Sequence, residues 1–383
     1  MTSVEALITP AVMKWARESM GLRLDEAAKK IGRPVEDVEG WEDGSRRPTM
    51  AQLRKASEVY KRPMAVFYLP KPPRDFTTLR DFRSLPDSET RKFSADLALL
   101  IRAVDFRRRW LSDYLVGDGA EPLAFVGSVT LRTPPSQTAQ NIRRTLEINT
   151  NEIKGTTADA LRYWIGKAEA AGIFIFRSRD IPLDQARGFV MSDPYAPIVF
   201  INSRDAQAAQ IFTLAHELAH VWLGHSGISN LELSGRTTDQ EAAEIERYCN
   251  QAAAEVILEP AEFRQMWPRL GGENLTQQIG KAARAFRVSD EVIARRLLQE
   301  GIIDNQTYKK VRAEGKRRWE QEDQHKKAGP VRHSLRMATR NGHLFTRTII
   351  SGFRSGNISG RDASELLNVK INHFPQLAKE VGL

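Results

Sequence analysis

The amino-acid sequence predicts a mainly helical protein. One α+β module lies between an all-α N-terminal domain and a mostly helical C-terminal region. Three observations carry that prediction. Apolar residues recur at spacings of three, four and seven along most of the chain. The β-rich runs are confined to Gly172–Phe176, Gly188–Met191 and Ile198–Ile201, with Asp193-Pro194 as a turn between the last two. Two long helical segments, Asp205–Gly224 and Asp239–Leu258, follow those strands, as in an α+β arrangement.

Residues 1–70 form a domain of short helices. Val12, Trp15, Ala16 and Met20 make a first apolar set, ended by Gly21. Leu24, Ala27, Ala28 and Ile31 make a second, followed by the turn Gly32-Arg33-Pro34. Val35–Asp43 is a third helix, stopped by Gly44, and Pro48-Thr49 opens a fourth with Leu53, Ala56, Val59 and Tyr60 on one side. The proline-rich Leu69–Arg74 cannot continue a helix and leads into a helical linker region over 71–155. There Phe93, Leu97, Leu100, Val104, Leu111 and Leu115 mark one long helix, Glu89–Val116, closed by Gly117, with Arg107, Arg108 and Arg109 as a solvated face. Residues 156–300 are the α+β module, opened by the threonine-capped helix Thr156–Ala171. Ile279–Ser289 and Ile293–Leu297 look like a second helix-turn-helix, read as packing around this module. Residues 301–383 are mostly helical, with the basic stretch Lys309–Lys327 read as flexible or solvated.

Composition narrows the function. With 41% hydrophobic and 27% charged residues, the 383-residue chain is neither disordered, collagen-like nor a membrane protein. The opening MTSVEALITP has no apolar secretory core, and no apolar run reaches the roughly 18 residues a membrane span needs. Cys249 is the only cysteine, so no intrachain disulfide forms and a reducing cytoplasm is the expected location. A net charge of +9 leans towards a polyanionic partner.

The chemistry concentrates in His216-Glu217-Leu218-Ala219-His220. Positions i and i+4 of a helix share a face, so both imidazoles reach one Zn²⁺ ion. Glu217, about 100° round the helix from His216, leans over the open side of the metal as general base. A catalytic zinc takes a third protein ligand and leaves a position for water. The downstream helix offers Glu241, Glu244, Glu246 and Glu255. Glu246 is favoured, because Asn250 follows one turn later, placed to bond a ligating histidine from outside the metal's own ligand set. Cys249 falls in the apolar set of that helix and is read as core. His225 is read as a rim residue, and Tyr195, His225 and Tyr248 are candidate oxyanion donors. Arg187–Met191 or Ile198–Ile201 is the candidate strand for pairing with an extended peptide.

These residues resemble the ImmA/IrrE family of bacterial and phage metallopeptidases. The matching motifs are Thr213–His220 and Glu246-x-x-Cys249-Asn250-x-x-Ala253-Ala254-Glu255. Ala27–Gly32, Trp41–Gly44 and Arg47-Pro48-Thr49 are similar to an Xre-type helix-turn-helix, and Pro63–Pro70, Asp81-Phe82-Arg83 and Arg361–Leu367 resemble the continuation and tail that accompany it. The resemblance covers most of the chain. It implies a zincin-like, gluzincin-type fold with an N-terminal all-α helix-turn-helix domain. It also implies a zinc-dependent endopeptidase that cleaves a repressor-type DNA-binding protein in stress response or mobile elements. The second helix of the helix-turn-helix carries Glu36, Asp37, Glu39, Glu42 and Asp43 with no cation, while Arg33, Arg46 and Arg47 flank it as candidate DNA or partner contacts. The domain therefore either binds DNA or docks protein. A regulator or antitoxin-like protein that keeps a zinc site without turnover is the rival to the peptidase.

Overall fold

A computed structural model describes residues 4–73, 80–81, 94–229, 240–272, 274–325 and 332–383. The chain divides into two compact units, Met1–Thr78 with Ser88–Phe106, and Leu79–Asp87 with Arg107–Leu383.

The first unit holds α1 (Pro10–Glu18), α2 (Leu24–Ile31), α3 (Val35–Asp43), α4 (Met50–Val59) and the start of α5 (Ala95–Gly117). Proline opens α1, where a missing N–H costs nothing, and α2 ends on Gly32 in the left-handed region at φ 76°. Met13, Ala16, Ala27, Ile31, Val38 and Trp41 are among the residues that build its core. Arg17 is buried with Glu42, donating to it through Nε at 2.7 Å and Nη2 at 2.8 Å, and its Nη1 donates to the Leu22 carbonyl. On α3, Glu36, Glu39 and Asp43 face outward. Asp37 accepts from Arg33 and Arg46, and both guanidiniums lower its pKa. Arg47 is exposed. The long helix predicted over Glu89–Val116 is seen as α5; residues 89–93 lie outside the described residues.

The second unit is built on a sheet that has five strands among the described residues: β1 (Arg80–Asp81), β2 (Phe174–Ser178), β3 (Gly188–Met191), β4 (Ile198–Asn202) and β5 (Gly227–Ser229). The order is β1-β5-β3-β4-β2. β3 is antiparallel to both neighbours, with Phe189 opposite Phe200 on one side and Ile228 on the other. The pairs β2–β4 and β1–β5 are parallel. Both β3 and β4 are therefore interior, and the sequence-based reading of either as a docking strand for a peptide is wrong: their backbone hydrogen bonds are already used. β1 and β5 were not foreseen.

Around the sheet lie α6 (Pro135–Thr145), α7 (Thr157–Ala170), α8 (Gln207–Leu223), α9 (Gln240–Ile257), α10 (Pro260–Met266), α11 (Leu275–Phe286), α12 (Asp290–Gln299) and α13 (Asn305–His325). The chain closes with α14 (His333–Asn341), α15 (His343–Arg354), α16 (Gly360–Leu367) and α17 (Phe374–Glu380). Thr156 caps α7 by accepting from Asp159 N. Ile175, Val190, Val199 and Ile201 face the core shared with α8, and α11 and α12 pack into that core through Ile279, Ala282, Ile293 and Leu297. On the other face Phe189 stacks on Phe200, and Phe176 of edge strand β2 meets Phe345 of α15 edge-on. α14 also packs on β2.

The Arg107–Arg109 run is only in part the solvated face expected. Arg107 lies over the rings of Phe176 and Phe345 and donates to the Leu366 carbonyl, while Arg108 pairs with Asp193 at 2.6 Å. Long-range partners that a local reading cannot see draw them inward; Arg109 is exposed. The segment from Lys309 is solvated where its side chains are described, with Lys309, Lys310 and Arg317 exposed; it continues α13 as far as His325, anchored by buried Tyr308 and Val311, and Lys326 and Lys327 lie outside the described residues. No helix among the described residues is long and apolar enough to cross a membrane.

Candidate metal centre

α8 is the central element of its unit. No proline or glycine interrupts it, and every residue from Gln210 to Leu223 is buried. The sequence suggested only an apolar back face, whereas a helix surrounded by protein needs apolar character all round. It stops at Gly224, left-handed at φ 71°, where a Cβ would stand 3.0 Å from Gly127 Cα. The backbone N–H groups of Gly127 and Val129 donate to the Val221 and Trp222 carbonyls, both at 3.1 Å, satisfying carbonyls that the helix end leaves without partners.

α9 packs along α8 through Ala242, Ile245, Cys249, Ala253 and Val256. That register brings Glu246, alone of the four candidate glutamates, to the histidines. Glu241 and Glu244 are exposed, and Glu255 is half-buried near Arg296. His216 Nε2 and His220 Nε2 lie 3.2 Å apart. The Glu246 carboxylate straddles them, with Oε2 at 3.4 Å from His216 Nε2 and Oε1 at 3.3 Å from His220 Nε2. All three residues are buried.

The donor set fits a metal ion. Bonds of about 2.0–2.2 Å to a tetrahedral ion separate its nitrogen and oxygen donors by roughly 3.3–3.5 Å, close to the three distances observed. Protonation agrees. Burial lowers the His220 pKa, more than the adjacent Glu246 raises it, and so favours the neutral ring. Burial opposes ionisation of Glu246, yet the His216 and His220 rings hold its carboxyl at about 2. A neutral imidazole and a carboxylate are the forms that bind metal.

Glu217 is buried beside this set, with its Oε1 near the backbone of Gly188. Cys249 is buried in the core as expected, and burial near Glu246 and Glu217 pushes its thiol well above its usual range. Asn250 is buried one turn beyond Glu246. His216 Nδ1 has no hydrogen-bond partner, so the support expected from Asn250 is not formed at that ring. His225 is half-buried at the end of α8, its N–H donating to the His220 carbonyl. Tyr195 sits in the β3–β4 turn, where its N–H donates to Asp193. Tyr248 is turned away: its hydroxyl bonds Thr138 of α6 at 2.5 Å, because two residues beyond Glu246 is about 200° round the helix. Of the residues that line the wall beside Glu217, Gly188 carried no sequence signal beyond strand, and Thr213 only its place at the start of the Thr213–His220 motif.

A family model described as the IrrE N-terminal-like domain, a peptidase family designated M78, matches residues 168–298. The match supports a peptidase and spans α8, α9 and strands β2 to β5. No curated protein matches the chain.

Proposed function

We propose that the chain is a zinc-dependent endopeptidase that cleaves a repressor-type regulatory protein. The observation that carries this reading is the convergence of His216, His220 and Glu246, with Glu217 buried at their side. A zinc ion held there would supply Lewis-acid polarisation of a water molecule and lower that water's pKa. His216 and His220 present ring nitrogens from successive turns of α8, and Glu246 adds one negative charge from α9. Glu217 acts as general base: it takes the proton of the attacking water and passes it to the nitrogen of the leaving segment. A binding protein without turnover has no chemical need for a buried carboxylate at position 217, which favours the enzyme over its rival.

For the N-terminal helices the same reading favours protein docking over DNA contact. Glu36, Glu39 and Asp43 on α3 face outward and would repel phosphates, and Arg33 and Arg46 are engaged by Asp37.

Glu217→Gln tests both parts. The variant keeps its zinc, loses cleavage by roughly 100-fold or more, and captures its substrate for identification. Normal cleavage by the variant would remove Glu217 from the mechanism. Retention of the wild-type protein on a low-salt DNA gel would overturn the docking role.

A further inference from the structure

We infer that Gly188 is a positioning residue for Glu217: the side chain it lacks is the space in which the carboxylate is held. The inference rests on the peptidase reading for its catalytic meaning, but the contact itself does not.

A Cβ built on Gly188 would stand 2.5 Å from Thr213 Cγ2, 2.8 Å from Glu217 Oε1 and 3.1 Å from the Phe200 carbonyl. Thr213 and Glu217 are four residues apart, so the strand backbone lies across one turn of α8, on the face that presents the base. The φ of Gly188 is not in the left-handed region, so backbone conformation does not demand glycine. Close approach does. β3 cannot retreat, because Gly188 is paired with Ile201 of β4 and Ser229 of β5. Glu217 and Thr213 are also buried, at 0% and 2% exposure. An alanine at 188 must therefore push the carboxylate, the threonine methyl, or both. Ordinary contact begins at 3.4 Å, so Glu217 Oε1 would have to move by about 0.6 Å. A misplacement of about 1 Å costs a catalytic group roughly 100-fold, which puts the expected loss at about 10- to 100-fold.

The experiment separates this role from simple crowding. Thr213→Ser removes the methyl, leaving Glu217 as the nearest obstacle to a side chain at 188. Full-length, zinc-loaded T213S, G188A/T213S, T213S/E217A and G188A/T213S/E217A are compared for bound zinc, melting temperature and hydrolysis of casein. Gly188→Ala in the T213S background should leave zinc content unchanged and cut cleavage about 10- to 100-fold. It should also lower Tm by about 2–4 °C. That Tm loss should vanish when Glu217 is truncated. Equal cleavage by G188A/T213S and T213S would overturn the proposal, as would a Tm loss indifferent to Glu217. If the Tm coupling appears while T213S leaves casein intact, Gly188 still positions Glu217 and what fails is peptidase action on an unselected substrate.

Discussion

Glu169→Gln should change how stability varies with pH. Glu169 sits near the end of α7, 9% exposed, and accepts from the Leu344 N–H at 3.2 Å, at the start of α15. Burial raises its carboxyl from the usual 4.5 to about 7, against the Leu344 and His343 N–H groups and the more distant Arg177 and Arg347. Between those two values the folded chain keeps a proton that the unfolded chain has lost. Stability from this site is therefore fully present below pH 4.5 and is lost as pH rises through about 7. At about 1.4 kcal/mol per pKa unit, the whole effect is about 3 kcal/mol, most of it developing between roughly pH 5 and pH 8. Glutamine keeps an acceptor for the α15 N–H groups and does not titrate. The variant should gain on the wild type by roughly 5–6 °C in Tm as the buffer moves across that range, since about 2.1 cal/mol/K per residue gives a unit of this size an unfolding entropy of about 0.6 kcal/mol/K. Thermal unfolding followed by circular dichroism in matched buffers measures the gap. A gap that stays constant with pH, or shrinks as pH rises, would refute the protonated, buried state assigned to Glu169.

Two more predictions follow from contacts already described. Glu42→Gln leaves the Arg17 guanidinium with only the longer Glu18 contact, at 3.6 Å, as a charged partner and should cost about 1.5–3 kcal/mol; a loss under about 1 kcal/mol in a melt of the variant would show the pair to be solvated. Tyr248→Phe removes the bond to Thr138 and should cost about 1–2 kcal/mol with turnover unchanged. A fall in cleavage would return that hydroxyl to the reaction centre.

The parts of the site legible in the sequence are those set by local geometry. His216, Glu217 and His220 lie within five residues of one helix, so the helical repeat alone places them. Glu246 needed one further step, the docking of α9 on α8, and its distance from Asn250 gave only an indirect hint. Gly188 could not be read at all, because its need for no side chain comes from an approach between β3 and α8. Interior β3 and β4 look the same in sequence as exposed apolar strands, and β1 with β5 are too short to show a period of two. Arg107 was misread for a related reason: the rings it covers are Phe176 and Phe345, far along the chain. The short helices of the first unit were clearer, since Gly32 and Gly44 punctuate them directly.

The packing of α14 and α15 on β2 limits how the family-matched region can be excised or recombined. A fragment trimmed to the family-matched span, residues 168–298, would uncover Phe176 and leave the outer backbone of β2 as a template for another chain's strand. Such a piece is a poor unit for shuffling or for recombinant work, and its aggregation would say nothing about its chemistry. The C-terminal helices must travel with it.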